Sequence, residues 1–340
     1  MKTTSLWIFA VLFVLLAGAN ELFPENFKVV KGNGAVTLTC GTKNDGDVIW
    51  KFSGGSLDAL LNYSVDKDTQ NLILSEVETP MLGEYSCWRG GEMISSTNLL
   101  EEEEESEEEG YFNCSAKSYD CSFTCDWTRF KETKYTKDTK DTKVRLGLGH
   151  DCSEGKKSCN WVTSHQLVNG RFQFEISHSV SPYAEESTML EVTAEAIIHH
   201  SFLRKTKRFY LRDIVQPDSP KIVRYQETDH HLHVTIDPPS SWSTPHSFFR
   251  LEHEIEYILR DNSENQTSSS PLIPKKISQL RVRSRDALVH SHWSQWSRWK
   301  NVKRKKWSKC QKKGNFGVRS CHQGTWIDVR RKGRKRKNSS

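Results

Sequence analysis

Three arginines and two tryptophans near the end of the chain are spaced so that their side chains can stack. Residues 281–285 carry an arginine at every second position, and alternate residues of a strand point to the same face. The two tryptophans lie three residues apart and share one face of an extended, polyproline-like segment. A guanidinium beside an indole ring gains roughly 0.5–2 kcal/mol through cation–π attraction. The sequence therefore predicts a ladder around a W-S-x-W-S motif, formed by Arg281, Arg283, Arg285, Trp293, Ser294, Trp296 and Ser297.

Residue patterns that support catalysis or metal binding are sparse. The sequence has no G-x-S-x-G elbow, no phosphate-binding glycine loop and no H-E-x-x-H pair. His231 and His233 can share one face of a strand, but no second pair of ligands accompanies them, which favours a solvated strand face. We therefore predict neither an enzyme nor a cofactor or metal site.

The start of the chain has the pattern of a secretory signal peptide. Residues 1–19 combine a charged start, an apolar core and small residues at 17–19. A membrane anchor is the alternative, but this apolar run is too short, and no later stretch reaches ~18 apolar residues. Nine cysteines fit an oxidising compartment. N-glycosylation sequons at Asn62, Asn113, Asn265 and Asn338 are also typical of a secreted protein. We expect a soluble, secreted, extracellular protein.

The net charge of +6 conceals two parts of opposite sign. Residues 298–340 contain 17 lysines and arginines and one acidic residue, so the rest holds 32 of the 49 basic and 42 of the 43 acidic residues. A signal peptide excludes nuclear localisation and nucleic acid as the target. A secreted basic tail is suited to heparan sulfate, bound through charge and counterion release. The alternatives are a solubilising tail and one trimmed at its dibasic sites. The candidate tail residues are Lys303, Arg304, Lys305, Lys306, Arg330, Arg331, Lys332, Arg334, Lys335, Arg336 and Lys337.

Residues 20–99 have the pattern of an immunoglobulin-like sandwich. Trp50 follows Cys40 by ten residues, and Tyr85 precedes Cys87 by two, as in a tyrosine corner. This order predicts an inter-sheet disulfide between Cys40 and Cys87. The acidic run within residues 100–110 cannot be buried because its charges repel one another, so it predicts a solvated linker.

Two further β-domains are predicted, at residues 111–217 and 218–299, followed by a basic tail at 300–340. In the first, Cys114 and Cys125 enclose ten residues, with Trp127 two residues further on, and a hairpin brings the two cysteines together. Strands are expected at 172–176, 190–198 and 209–215. Prolines at 217 and 220 stiffen the connection. The predicted fold class is all-β, an immunoglobulin-like sandwich followed by two fibronectin type III domains.

This combination of domains and motifs resembles the class I cytokine receptors. Local stretches are similar to the soluble, receptor-like subunits of heterodimeric cytokines within that family. They are R-D-I-V-Q-P-D at 212–218, P-Y-A-E-E-S at 182–187 and W-S-T-P-H-S-F-F at 242–249. The likeness covers roughly residues 20–297.

The resemblance implies a chain that binds a four-helix-bundle cytokine alpha chain at the elbow between its fibronectin domains. The pair would then engage cell-surface cytokine receptor chains. A soluble receptor or decoy that captures a free helical cytokine is the alternative, and a homodimer is a third form. Family contacts carry over to Tyr119, Pro182, Tyr183, Ala184, Glu185, Phe248 and Asp286. The family aspartate at Asp286 receives an arginine from the helical partner. Without the resemblance, a strand-end turn carboxylate is the simpler interpretation.

The chain departs from the family at several cysteines. The family cysteine that bridges to the helical partner is Ser181 here, and the bridge to the chain end is lost at Pro274. Cys152 matches a family cysteine whose partner position falls near His178, and we expect Cys159 to replace that partner. The first-domain loop at residues 31–34 is also shortened and lacks the family's receptor-facing tryptophan.

The remaining cysteines leave one thiol over. Pairing Cys310 with Cys321 leaves Cys121, two residues from Tyr119. An odd cysteine in a secreted protein indicates an intermolecular bond or a free thiol. We hypothesise that Cys121 supplies the interchain disulfide that Ser181 cannot form.

Overall fold

The computed structural model describes residues 23–41, 47–57, 62–103, 112–128, 142–164, 171–228, 230–261 and 263–303. Several predictions fall outside these residues and stay predictions. They are the signal peptide, the Asn338 sequon, the Cys310–Cys321 pair, residues 104–110 of the linker and every tail residue after Lys303.

The chain is built from strands, which confirms the all-β prediction. In chain order the strands are β1 (Phe27–Val30), β2 (Val36–Leu38), β3 (Ile49–Phe52), β4 (Gly55–Ser56), β5 (Tyr63–Val65), β6 (Leu72–Leu74), β7 (Gly83–Arg89), β8 (Glu92–Glu102), β9 (Phe112–Ser115), β10 (Ser122–Trp127), β11 (Thr142–Leu148), β12 (Trp161–Thr163), β13 (Phe172–Ser177), β14 (Leu190–Ile198), β15 (Ser201–Phe209), β16 (Lys221–Glu227), β17 (His231–Asp237), β18 (Leu251–Leu259), β19 (Asn265–Ser268), β20 (Leu272–Pro274), β21 (Ile277–Asp286) and β22 (Lys300–Asn301). Two one-turn helices, α1 (His150–Ser153) and α2 (Leu211–Ile214), and a 3-10 turn at Thr79–Met81 interrupt them.

The first sandwich faces the sheet β2-β6-β5 against β1, β8, β7, β3 and β4. Its core contains the Cys40–Cys87 disulfide, the pair that the sequence predicts, with Trp50 buried beside it. The Tyr85 hydroxyl donates a hydrogen bond to the Met81 carbonyl at 2.7 Å. This bond ties the 3-10 turn to β7, which is the function of a tyrosine corner.

A single sheet continues from the first sandwich into the second. Strand β8 pairs with β7 and β1, and its end pairs in parallel with β15, through Glu101 with Ser201 and Glu102 with Phe202. The prediction that residues 100–102 belong to a solvated linker is therefore wrong. Leu100 is buried. Strand pairing on both sides of Glu101 and on one side of Glu102 holds the two glutamates in the strand, while their charges remain near solvent.

A buried charge cluster lies where these two sandwiches meet. Glu195 on β14 is fully buried, and its two oxygens accept hydrogen bonds from the Nε atoms of Arg145 and Arg204, each at 2.8 Å. The Arg145 guanidinium also lies 4.1 Å from the Phe23 ring centroid and 4.2 Å from that of Trp161. Because both carboxylate oxygens are paired, the junction can bury a charge.

The second sandwich packs β13-β10-β9 against β12-β11-β14-β15. Cys114 lies directly opposite Cys125 across β9 and β10, and the two form a disulfide. Cys152 is bonded to Cys159, as expected, in a loop that starts with α1. A Cβ atom on Gly147 would lie 2.5 Å from the Cys152 sulfur, so only glycine leaves room for this bridge.

The strand predicted at 209–215 is wrong beyond its first residue. Strand β15 ends at Phe209, and α2 follows. The Asp213 carboxylate accepts a hydrogen bond from the Tyr210 amide at 3.0 Å, and this local capping bond favours a helical turn. Val215 then returns to extended backbone and bridges Ala116.

The third sandwich packs β16-β17-β20 against β19-β18-β21-β22 around an apolar core. His231 and His233 are exposed on the same face of β17. Over the ranges given above, no group of three histidine, cysteine or acidic side chains is arranged to hold a metal ion.

Candidate partner-binding site

The elbow between the second and third sandwiches is fixed by shared packing. Trp242 and Phe249 come from the third sandwich but are buried in the core of the second. The Gln216 side chain donates a hydrogen bond to the Trp293 carbonyl at 2.8 Å, and the Ser219 hydroxyl donates one to the Gln295 carbonyl at 2.7 Å. The connection therefore holds the tryptophan motif against the elbow.

Three loops meet at the elbow and carry the predicted partner residues. They are the Tyr119 loop (residues 117–121), the Tyr183 loop (residues 178–189) and the Phe248 loop (residues 238–250). The Tyr119 ring stacks on Phe249 with centroids 5.6 Å apart. Its amide donates a hydrogen bond to the Ser243 hydroxyl at 3.0 Å. Residues far apart in sequence are thereby brought together.

Two aromatic rings stand exposed at this junction. Tyr183 is 61% exposed and Phe248 57%, with their centroids 5.3 Å apart. Both rings contact Phe249, which is buried beneath them. Ala184 and Glu185 are also exposed, and Pro182 is half-buried. Exposed aromatic groups on a rigid base are typical of anchors in protein interfaces.

Asp286 lies at the end of β21 and is only 4% exposed. Its Oδ1 atom accepts hydrogen bonds from the amides of Leu288 and Val289, at 2.7 and 2.9 Å. The turn carboxylate that the sequence offered as the simpler interpretation is thus present. The second oxygen takes part in neither of these two bonds, and the proposed role towards a partner arginine stays a prediction.

The Asp286 carboxylate also lies against the Tyr119 hydroxyl. Burial raises the pKa of Tyr119 above its ordinary value, and the negative charge of Asp286 raises it further. Nearby, burial raises the pKa of Glu186, whose carboxylate accepts a hydrogen bond from the Arg212 amide at 3.2 Å. The elbow thus combines exposed aromatic rings with one buried and one partly buried carboxylate, Asp286 and Glu186.

The arginine–tryptophan ladder is formed and is longer than predicted. Arg283 lies between Trp293 and Trp296, at 4.8 and 4.5 Å from their ring centroids. Arg281 lies between Trp296 and Trp299, at 4.8 and 4.6 Å. Arg285 lies 4.5 Å from Trp293. The sequence analysis missed Trp299, although its spacing of three residues from Trp296 was a signal for it.

Strand β18 supplies a matching row of carboxylates. Arg283 Nε donates to Glu254 at 2.6 Å, Arg281 pairs with Glu256, and Arg285 pairs with Glu252. On the motif side, the Ser294 hydroxyl accepts a hydrogen bond from the Ser284 amide at 3.0 Å. The Ser297 hydroxyl accepts one from the Val282 amide, also at 3.0 Å. The motif thereby supplies hydrogen-bond acceptors to backbone amides along the edge of β21, the strand that ends at Asp286.

The structure also brings residues to the elbow that the sequence analysis did not name. Leu288, next to the Asp286 turn, is 87% exposed. Glu186, within the Tyr183 loop, accepts a hydrogen bond from the Arg212 amide. The only signal in the sequence was their position beside residues already singled out, because exposure of a leucine cannot be read from a turn sequence.

Cys121 is exposed, and of the cysteines within the described ranges it alone has no disulfide. Its carbonyl accepts a hydrogen bond from the His178 amide at 2.9 Å, which places it beside the Tyr183 loop. The sequons at Asn62, Asn113 and Asn265 are likewise exposed. Of the helices in the described part of the chain, none has the length and apolarity to cross a membrane.

Comparison with known proteins identifies the relatives of this chain. A family profile described as cytokine interleukin-12p40 C-terminus matches residues 109–198. The interleukin-12 subunit beta of Felis catus is 29% identical over 290 residues, which covers 76% of this chain and 84% of the relative. The proteins of the same description from Ovis aries and Homo sapiens are 27% and 26% identical, with the same coverage. Over three quarters of its length, the chain is therefore similar to the interleukin-12 beta subunits, which are cytokine subunits.

Proposed function

We propose that this chain is the receptor-like subunit of a secreted heterodimeric cytokine and binds a four-helix cytokine chain at the elbow. The observation that carries this proposal is the exposed pair Tyr183 and Phe248 above the Tyr119–Asp286 contact. Aromatic anchors beside a buried carboxylate suit a helix that presents an arginine among apolar side chains. The pair then engages cell-surface cytokine receptor chains. No enzymatic activity is part of this function.

Mass spectrometry of the secreted material tests the proposal. The full-length chain is captured from the medium of cells that also express helical cytokine chains, and its intact complexes are weighed. We expect a complex with one four-helix chain. Secretion of the chain alone overturns the proposal and favours the soluble receptor or decoy, and a pure homodimer overturns it as well.

Substitutions at the elbow locate the surface. We expect Tyr183→Ser and Phe248→Ser to lower recovery of the helical chain about tenfold or more, the loss expected for interface anchors. Both rings are exposed, so the stability of the chain itself changes little. Leu272→Ser is the matched control, because Leu272 is a similarly exposed apolar residue on β20. Equal losses in all three variants contradict the assignment of the surface.

We further propose that Cys121 forms the interchain disulfide. A non-reducing gel of the co-expressed pair, with and without Cys121→Ser, decides this. Persistence of the covalent species in the variant shows the hypothesis to be wrong.

The basic tail is proposed to bind heparan sulfate, and a chain ending at Lys300 provides the comparison. Equal elution of the two chains from heparin at low salt excludes this role.

A further inference from the structure

A buried histidine joins two of the three elbow loops. His178 begins the Tyr183 loop and is 9% exposed. Its amide donates a hydrogen bond to the Cys121 carbonyl at 2.9 Å, in the Tyr119 loop. Its ring stacks on Phe123, with centroids 5.8 Å apart and an angle of 29° between the planes. The position of the ring therefore helps to set how the Tyr183 loop lies against its neighbour.

The hydrogen bonds of the ring require its neutral form. Nδ1 accepts a hydrogen bond from the Val180 amide at 3.2 Å, so the single proton of the neutral ring is on Nε2. Nε2 is buried and has no hydrogen-bond partner. Protonation would place an N–H on Nδ1, directly opposite the Val180 N–H. The Val180 hydrogen bond would be lost, and a positive charge would be buried, with the Asp120 backbone offsetting only part of the cost.

The surroundings of the ring offer little to stabilise that charge. The ring faces Phe123 of β10. It also lies against the backbone of Asp120 and Cys121, which belong to the Tyr119 loop. The Asp120 carboxylate accepts a hydrogen bond from Ser243 on the Phe248 loop, at 3.3 Å. On its own loop the nearest titratable residues in sequence, Tyr183 and Glu185, are exposed.

We propose that His178 makes the elbow surface acid-sensitive: the neutral ring locks the Tyr183 loop to the Tyr119 loop, and protonation in an acidic compartment releases the Tyr183 loop together with the helical partner. The release of the partner rests on the proposed function. The opening of the loop is a property of the chain alone.

The sign of the effect follows from burial. Burial lowers the pKa of His178 below the ordinary 6.5, and an interaction with the Asp120 backbone offsets this in part. At pH values between the lowered pKa of the closed loop and 6.5, the open loop therefore binds more protons than the closed loop. Closure is at full strength above pH 6.5 and is weakened as the pH falls through that window.

Amide hydrogen exchange on the full chain without a partner tests the opening. Asparagine at 178 can accept the Val180 hydrogen bond through its own oxygen and does not titrate, so His178→Asn is the informative variant. After correction for the intrinsic pH dependence of exchange, we expect protection of residues 178–189 to fall between pH 7.4 and 5.5 in the wild type. A fall of about fivefold over this pH range corresponds to a difference of one pKa unit between the closed and open loops.

The His178→Asn variant should keep the same protection of residues 178–189 at both pH values. The control His231→Gln, at an exposed position, should behave as the wild type. An unchanged wild type, or a variant that changes equally, overturns the proposal. If His178→Asn does not fold, an NMR titration of the wild-type ring decides instead, and a His178 pKa at or above 6.5 overturns the proposal.

The partner is tested with the helical chain that co-purifies in the mass-spectrometry experiment. Its dissociation is followed at pH 7.4 and 5.5 in a Cys121→Ser background, so that an interchain disulfide cannot mask release. We expect dissociation to be about fivefold faster at pH 5.5, again for one pKa unit, and nearly pH-independent with His178→Asn. A wild-type rate that is the same at both pH values overturns the release step. If no helical chain co-purifies, the proposed function fails, but the exchange experiment still decides whether the loop opens.

Discussion

The Tyr119 hydroxyl, from the second sandwich, lies against the Asp286 carboxylate at the end of the ladder strand in the third. Asp286 also closes the turn that exposes Leu288. Because the arginine–tryptophan ladder is built on the same strand, β21, it supports the position of this carboxylate. The tryptophan motif and the elbow surface are therefore parts of one rigid arrangement.

Replacing Asp286 by asparagine separates its charge from its role in the turn. The amide oxygen can still accept from the Leu288 and Val289 amides, so we expect the free energy of unfolding to change by less than about 1 kcal/mol. Binding of the helical chain should weaken by about 2 kcal/mol or more if its arginine meets this charge. Removing the charge should also lower the pKa of Tyr119, since Asp286 raises it. Urea denaturation measures the stability, titration with the partner measures the affinity, and an ultraviolet pH titration follows Tyr119. An unchanged affinity for the partner contradicts the binding role of Asp286.

Arg283→Lys tests the ladder. A lysine ammonium cannot stack as a flat plate between Trp293 and Trp296 while also pairing with Glu254. We expect the free energy of unfolding to fall by about 1–2 kcal/mol, the sum of two cation–π contacts in a partly exposed site. Arg298→Lys is the control, because Arg298 is exposed. Urea denaturation that gives the same stability for both variants excludes a stabilising ladder.

Gly147→Ala tests the fit of the Cys152–Cys159 bridge. The added methyl group would lie 2.5 Å from one sulfur and 2.6 Å from the other, closer than real contacts allow. We expect a loss of about 1–3 kcal/mol in the free energy of unfolding through overpacking. Gly55→Ala is the control, because its nearest contact would be an ordinary 3.6 Å. Denaturation and disulfide mapping by peptide mass measure the effect, and wild-type stability with an intact bridge contradicts it.

Glu195→Gln tests the junction of the first two sandwiches. The substitution leaves the Arg145 and Arg204 guanidinium groups close together without their buried counter-charge. Breaking a buried ion pair costs about 3–5 kcal/mol, so we expect a large fall in the midpoint of thermal unfolding. Glu227→Gln, on an exposed strand position, should leave the midpoint unchanged. A midpoint within one degree or so of the wild type, a shift equivalent to only a few tenths of a kcal/mol, contradicts the role of Glu195.

The sequence predicted strand-rich organisation well because alternation and cysteine spacing are local signals. Strand β14 and the Cys114–Cys125 bridge need only the residues that form them. The expected strand at 209–215 was wrong because a capping bond between Tyr210 and Asp213 outweighs alternation over so short a segment. Glu101 and Glu102 were misplaced because their backbone pairs with strands distant in the chain.

By itself the sequence determined the all-β class, the disulfide pairs seen here and the stacking register of the arginines and tryptophans. The class and the register follow from periodicity, the Cys40–Cys87 and Cys114–Cys125 pairs from motif order and spacing, and the Cys152–Cys159 pair from the family resemblance. Only the tertiary structure decided that Asp286 is buried against Tyr119, that Leu288 is exposed and that His178 lies neutral beneath the elbow surface. Burial and the charge state of a side chain depend on the groups that surround it, and here those groups come from loops separated by scores of residues.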